Sequence, residues 1–347
     1  MSAPAVTVVV PTLAQDSGFL ACLESLESHT WRDFDVLVVD NGGSNAARRL
    51  HAARPAGSLS VRWVENVRNT GFGAAINEAR RHSRSPFVAA LNDDATASPE
   101  WLGALVGGMA DADVGMCASQ VRLAGDENGR LDSAGMLIAG DGSSRQRGHL
   151  EPPGRFDTEE DVLLPSASAA IYRRTALDQA GWLDEHFFLY CEDTDVGLRI
   201  RRLGWRCRYI PRAVAWHRFS RSAGRASALK AYYVERNRLF VLIKHFPAAW
   251  LAAAPFVTIL RYYWHFGLML QGKGKAAEFR EGGGGALDLV RLAIRAHLSA
   301  LADAGRLWRE RRRILRDAAA APGALSPKEF SRLLRDHHMK ARQVAEL

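Results

Sequence analysis

The chain has 347 residues, 47% of them hydrophobic, enough to bury one large α/β domain with a smaller appendage, so it belongs among globular proteins. Lys and Arg number 46 against 38 Asp and Glu, and the resulting +8 suits polyanionic partners: nucleotide phosphates, anionic lipid or nucleic acid. Cys22, Cys117, Cys191 and Cys207 are scattered with no close pair, which indicates neither a disulfide framework nor a zinc site and fits a reducing cytosol.

The N-terminal apolar run has no basic stretch before it and is cut short by Pro11, so it reads as a first strand over residues 6–10 rather than a signal peptide. Phe19, Leu20, Leu23 and Leu26 then fall at helical spacing. Residues 35–39 form a second strand ending in Asp40-Asn41-Gly42-Gly43-Ser44, followed by a polar helix with Arg48 and Arg49. Residues 61–64 and 87–91 supply two more strands around a helix at 73–82. This alternation is that of a doubly wound parallel sheet, whose ligands bind beyond the carboxyl ends of the strands. Asp40 and Asn92-Asp93-Asp94 stand at such ends.

The run Phe87-Val88-Ala89-Ala90-Leu91 breaks off into Asn92-Asp93-Asp94. Asn92 and Asp94, one residue apart, can share a hard divalent cation whose open positions take phosphate oxygens. A surface Asx turn is the plainer account of the same residues.

Residues 125–165 are rich in Gly, Asp, Arg and Pro and read as a mobile irregular or hairpin insertion over the site. A small-residue strand follows Ser166, then a helix at 175–181, then a stretch in which aromatics run into carboxylates: Phe187-Phe188-Leu189-Tyr190-Cys191-Glu192-Asp193-Thr194-Asp195. Val196, Ile200 and Leu203 make a helix stripe, placing Glu192, Asp193 and Asp195 at a helix N-terminus, where the dipole favours negative charge and simple capping would account for them. Residues 207–210 and 213–216 look like two short strands, with His217 after the second.

From about residue 225 the pattern becomes long helices. Residues 250–270 are the most membrane-like, but Pro255, Arg261 and His265 interrupt them, and a central charge makes lying on a membrane more favourable than crossing it. Leu287, Ile294, Leu301, Trp308 and Leu315 repeat every seven residues beside Arg306, Arg309, Arg311, Arg312, Arg313 and Arg316. Packing on the rest of the chain and a basic amphipathic membrane contact are both open for this stripe.

Several motifs in order resemble the family 2 inverting glycosyltransferases of GT-A fold. They are Val9-Val10-Pro11-Thr12, Val38-Val39-Asp40-Asn41, Asn69-Thr70-Gly71-Phe72-Gly73 with Asn77, Leu91-Asn92-Asp93-Asp94, Asp184-Glu185 through Asp195, and His217. The 187–193 stretch, with Tyr233, Arg236 and Asn237, is similar to bacterial rhamnosyltransferases of cell-surface polysaccharide synthesis. The resemblance implies an α/β GT-A fold with a mainly parallel sheet over residues 1–225, split into a nucleotide half (1–118) and an acceptor half (119–225), with a helical extension at 226–347.

It also implies roles. Asp40 would recognise the base; Pro11, Thr12, Asn69, Gly71, Asn92 and Asp93 would line the donor site; Asp94, and in some members His217, would hold Mg2+ or Mn2+. Asp193 would be the catalytic base, and Trp182, Glu192 and Ser168 would face the acceptor. Ser168 replaces a common Gly, Trp182-Leu183 a Gly-Phe pair, and Gln15-Asp16 a Tyr-Asn, so pocket walls differ from the family pattern. The implied donor is dTDP-L-rhamnose, with UDP-linked galactose, glucose or N-acetylglucosamine as alternatives; the implied acceptor is a glycan or lipid-linked glycan. A cytoplasmic enzyme peripheral to the inner face of an anionic membrane is expected, with a homodimer left open.

A dinucleotide oxidoreductase is disfavoured because no Gly-x-Gly-x-x-Gly follows the first strand. A non-catalytic nucleotide-sugar or nucleic-acid-binding protein is the reading from another class. It is disfavoured because the carboxylates are present and the Arg cluster sits in no nucleic-acid-binding module.

Overall fold

The computed structural model describes residues 3–14, 18–43, 45–53, 57–218, 227–281 and 283–346; Gln15, Asp16 and residue 225 lie outside them. Its strands are β1 (Val6–Thr12), β2 (Phe34–Asp40), β3 (Val61–Glu65), β4 (Phe87–Leu91), β5 (Ala95–Ala97), β6 (Val114–Leu123), β7 (Leu131–Ser133), β8 (Met136–Ala139), β9 (Ser144–Gln146), β10 (Glu160–Asp161), β11 (Ala169–Arg173), β12 (Arg206–His217) and β13 (His338–Met339). Its helices are α1 (Gly18–Glu27), α2 (Ala46–Ala52), α3 (Phe72–His82), α4 (Trp101–Gly108), α5 (Arg174–Ala180), α6 (Glu192–Arg202), α7 (Ala228–His245), α8 (Ala248–Leu270), α9 (Gly274–Glu281), α10 (Ala286–Ala302), α11 (Ala304–Ala320), α12 (Pro327–Asp336) and α13 (Ala341–Glu346). Two compact units result: residues 1–136, 146–201 and 205–222, and residues 137–145, 202–204 and 223–347.

In the first unit the sheet runs β10-β12-β6-β11-β4-β1-β2-β3. The four N-terminal strands pair in parallel, as alternating strand and helix dictates, and β11 is inserted antiparallel between β4 and β6. Apolar runs such as Val6 to Val10 are buried on both faces, which is why they show no alternation. The α1 stripe of Phe19, Leu23 and Leu26 packs with Val8, Val36 and Trp101 in one core. The register matches Thr12 to Asp40 and Asp40 to Glu65, so polar strand ends line up along one edge.

One expectation is corrected here, and for residues 125–165 the hairpin alternative is favoured over the irregular one. The segments 207–210 and 213–216 are one strand, β12, with an irregularity between Ile210 and Val214, where Pro211 has no amide proton to give the ladder. The stretch 125–165 holds β7, β8, β9 and β10, each too short to show a period in sequence.

The second unit is helical, with a small sheet of β13, β8 and β9. Arg261, read from sequence as a charge breaking the apolar run, is only 5% exposed. It donates to Asp141 at 2.6 Å and to Glu235 at 2.8 Å, while Arg238 pairs with the same Glu235. With that charge turned inward, the exposed side of α8 shows Phe256, Ile259, Leu260, Tyr263, Phe266 and Leu270. Among the described residues no helix is long and apolar enough to cross a membrane.

The seven-residue stripe is likewise redistributed. It spans two helices, α10 and α11, and all five of its residues are exposed, whereas Ala296, Ala300, Leu307, Ile314 and Ala318 are buried. Of the six arginines, Arg306 pairs with Asp303 and Glu310 and Arg311 donates to the Ile243 carbonyl, which leaves Arg309, Arg312, Arg313 and Arg316 exposed.

Candidate active site

The ends of β1 and β2 are tied by side chains rather than left open. The Thr12 hydroxyl donates to Asp93 Oδ2 at 2.7 Å and accepts from the Ala14 amide. Asp40 is buried and accepts from the amides of Gly42 (2.8 Å) and Ala47 (3.1 Å), so both its carboxylate oxygens hold the turn into α2. Asn41 is the hub of a network that sequence did not single out as functional. Its Oδ1 accepts from Asn66 and Thr70, and its Nδ2 donates to the Gly71 carbonyl. Pro11 is half-buried on β1.

Asn69 Oδ1 accepts from the Gly71 amide at 2.9 Å, closing the turn before α3. Gly71 has φ 89°, and the next amide, Phe72, donates to the Phe188 carbonyl. Asn77 exchanges hydrogen bonds with the Leu183 backbone. The turn at Gly71 and helix α3 are thus fastened to the loop ahead of α6. That loop holds Trp182, Phe188, Tyr190 and Cys191 at positive φ, a concentration of strained non-glycine residues of the kind found at functional sites.

Register delivers His217. The β12–β5 pairing sets it opposite Ala95, the residue after Asp94, and its Nε2 lies 3.1 Å from Asp94 Oδ1 and 3.3 Å from Asn92 Nδ2. On the other side its Nδ1 lies 2.8 Å from Asp132 Oδ2. Burial opposes a charge on this imidazole, but the hydrogen bonds to Asp132 and Asp94 outweigh it and push His217 up to about 10. Burial likewise opposes a charge on Asp132, yet His149 and His217 hold its carboxyl down at about 2. Sequence missed Asp132 and His149 because nothing local marks them; His217 and Asp132 are 85 positions apart.

These residues fit a divalent cation. Asp94 Oδ1 and His217 Nε2 lie 3.1 Å apart, and the Asn92 amide stands beside them with Nδ2 toward His217 and a buried Oδ1 that has no hydrogen-bond partner, a state that a bound ion relieves once the amide is turned. A mixed carboxylate, amide and imidazole set suits Mn2+ and admits Mg2+.

Asp193 Oδ2 accepts from the Ala167 amide (3.2 Å), and its Oδ1 from the Thr194 amide (2.6 Å) and hydroxyl. The Asn92 backbone amide donates to the Ser168 carbonyl, so one dipeptide, Ala167-Ser168, is bonded to both Asn92 and Asp193. The helix dipole alone would keep Asp193 low. Instead, burial pushes its carboxyl upward against those three donors. Burial and the neighbouring Asp193 charge push Glu192 up to about 8, and Glu192 Oε2 is buried without a partner. Asp195 has a structural partner, Arg199, at 2.6 Å.

Of the residues expected to face the acceptor, Ser168 has its hydroxyl 3.0 Å from that of Ser166. Trp182 is buried, with its indole nitrogen donated to Asp178 and Arg174 over its ring, so it presents no open wall.

Polar strand ends along one edge of a GT-A-type sheet, a carboxylate–imidazole pair and a buried carboxylate at a helix N-terminus are features that suit a nucleotide-sugar glycosyltransferase. Residues 7–181 match the family described as Glycosyl transferase family 2, and the chain belongs to that family, as its ordered motifs lead one to expect.

Among curated relatives, the chain is similar to the N-acetylglucosaminyl-diphospho-decaprenol L-rhamnosyltransferase of Mycobacterium tuberculosis, at 28% identity over 64% of this chain and 79% of that one. It is also 28% identical to the pre-mycofactocin glycosyltransferase of the same organism, over 66% of this chain and 46% of that one. Among solved structures, a mannosyltransferase from Pyrobaculum calidifontis in complex with GDP-Man and Mn2+ aligns with TM-score 0.52 at 18% identity, over 92% of this chain and 87% of that one. GalNAc-T7 with UDP, GalNAc and Mn2+ aligns with TM-score 0.59 at 12% identity, over 75% of this chain and 51% of that one. The two structures support the fold.

Proposed function

We propose that this enzyme moves L-rhamnose from dTDP-L-rhamnose to a glycan or lipid-linked glycan, with inversion at the anomeric carbon, in cell-surface polysaccharide synthesis. The observation that supports the reaction class is that the Ala167-Ser168 dipeptide is bonded both to Asn92, two positions before Asp94, and to the Asp193 carboxylate, while Asp94 pairs with His217. The mycobacterial relative, a rhamnosyltransferase by name with a lipid-diphosphate sugar as its acceptor, supports the choice of sugar and acceptor. A UDP-linked hexose donor is the second reading, favoured by the UDP held in one GT-A structural neighbour.

Asp94 and His217 would hold Mg2+ or Mn2+, with Asn92 beside them. Such an ion, when bound, neutralises charge on the leaving diphosphate. The chain's own work is at the acceptor. Asp193 takes the proton of the attacking hydroxyl while the acceptor oxygen bonds to the anomeric carbon and the sugar–phosphate bond breaks on the opposite face. Glu192, protonated beside it, leaves Asp193 as the ionised partner. Residues 1–225 carry the chemistry, and the helical region 226–347 holds the enzyme peripherally at an anionic membrane.

Nucleotide diphosphate release from a panel of nucleotide sugars tests the donor. Turnover with dTDP-L-rhamnose above all UDP-sugars is expected; turnover with a UDP-hexose alone would replace rhamnose by that sugar. Full activity in excess EDTA would remove the metal.

A further inference from the structure

Asp132 lies on β7 in the stretch that sequence reads as an irregular insertion, and at 1% exposure it is as buried as the hydrophobic core. A carboxylate costs several kcal/mol to bury unless it is paired, so its surroundings report what it is for. Its two oxygens are divided between two imidazoles: Oδ2 lies 2.8 Å from His217 Nδ1, and Oδ1 lies 3.3 Å from His149 Nδ1. His149 Nδ1 also lies 3.1 Å from the Asp132 carbonyl, so this second ring holds the β7 backbone at Asp132 and sits beside its carboxylate. Neither imidazole is on a neighbouring stretch of β7, and such an arrangement is more than a local turn requires.

We propose that Asp132 is a positioning residue for His217. By accepting a hydrogen bond from Nδ1–H, it fixes the ring plane, so that when a cation takes the place of the Nε2 proton the Nε2 lone pair is already directed toward Asp94. This rests on the reading of His217 as a metal ligand. It adds a carboxylate–histidine–metal relay, an arrangement in which the outer carboxylate raises ligand basicity and holds orientation.

The experiment is Mn2+ titration of the full-length protein by electron paramagnetic resonance, with and without dTDP, for wild type, His217→Ala and Asp132→Asn. Both variants are expected to bind Mn2+ about 10–100-fold more weakly, the usual worth of such an outer partner. Unchanged affinity in His217→Ala would show that His217 is not a ligand and would overturn the metal reading and the relay together. Weakened binding in His217→Ala with Asp132→Asn within about twofold of wild type would overturn the relay alone. Should Asp132→Asn fail to fold, 15N NMR of the Mg2+-loaded wild type decides: His217 protonated on Nδ1 upholds the relay, and a proton on Nε2 overturns it.

Discussion

The Phe72 amide donates to the Phe188 carbonyl at 2.9 Å, which places the backbone of the loop ahead of α6 directly against the turn at Gly71. A Cβ on Gly71 would collide with that carbonyl, and the residue has φ 89°, a region that side chains disfavour. Gly71→Ala should therefore cost about 2 kcal/mol or more in denaturant unfolding and weaken donor binding. Gly107→Ala, on α4 with open space around it, should gain up to about 1 kcal/mol. Equal stability of the two variants would refute the close approach.

Asp193 accepts three hydrogen bonds that orient it, and burial offsets the loss of basicity they bring. Asp193→Asn should leave the donor Kd near wild type while kcat falls by roughly two to four orders of magnitude. A lost donor affinity with kcat intact would make it a binding residue instead.

Glu192 gives a pH signature of opposite sign to an ordinary surface acid. Its folded value, raised to about 8 by burial and by Asp193, exceeds that of the unfolded chain, so the folded state holds the extra proton. Stability should then fall as pH rises from about 5 to about 8. Glu192→Gln removes the titrating carboxyl and should flatten that fall, measured as Tm against pH. A wild type and variant with parallel profiles would show that Glu192 is ordinary.

In the second unit, Asp141 faces Arg261 at 2.6 Å and Arg238 at 3.8 Å, all three buried. Burial opposes its charge, yet the two guanidinium groups hold its carboxyl below the usual range. Asp141→Ala leaves a buried guanidinium short of a partner and should cost about 3–5 kcal/mol, whereas breaking the exposed Arg48–Glu65 pair should cost under about 1 kcal/mol. Similar unfolding midpoints for the two variants would contradict this contrast.

What sequence showed was local. Strand β1, the α1 stripe and the carboxylates at the start of α6 each announce themselves within a dozen residues, by period or by an abrupt change of polarity. What it hid was distant. Arg261 looks like a break in an apolar run because Asp141, which neutralises it, is 120 positions away. Asp132 looks like loop composition because its meaning lies in His217. The seven-residue stripe misleads for another reason: two helices with a break at Asp303 cannot keep one heptad face, and the buried positions Leu307 and Ile314 fall one residue before Trp308 and Leu315.

That redistribution leaves the helical unit with an uncharged exposed side on α8, a second exposed apolar row on α10 (Leu287, Val290, Ile294, Leu298, Leu301), and four exposed arginines on α11. Apolar faces of this length with aromatic residues are costly in water, and basic residues nearby fit an anionic leaflet. At about 1 kcal/mol per arginine near such a surface, four contribute about 4 kcal/mol, on the order of a thousandfold in affinity. Full-length protein should float with anionic liposomes, bind neutral ones weakly and dissociate as salt rises, because screening removes the arginine share first. Ile259→Asp with Phe266→Asp should weaken binding to both vesicle types, while Arg312→Glu with Arg313→Glu should weaken only the anionic case. A second copy of the chain is the competing occupant of these faces. Sedimentation showing a dimer that ignores both vesicle types, and that the Asp variants dissociate, would assign the apolar rows to self-association and remove the membrane contact.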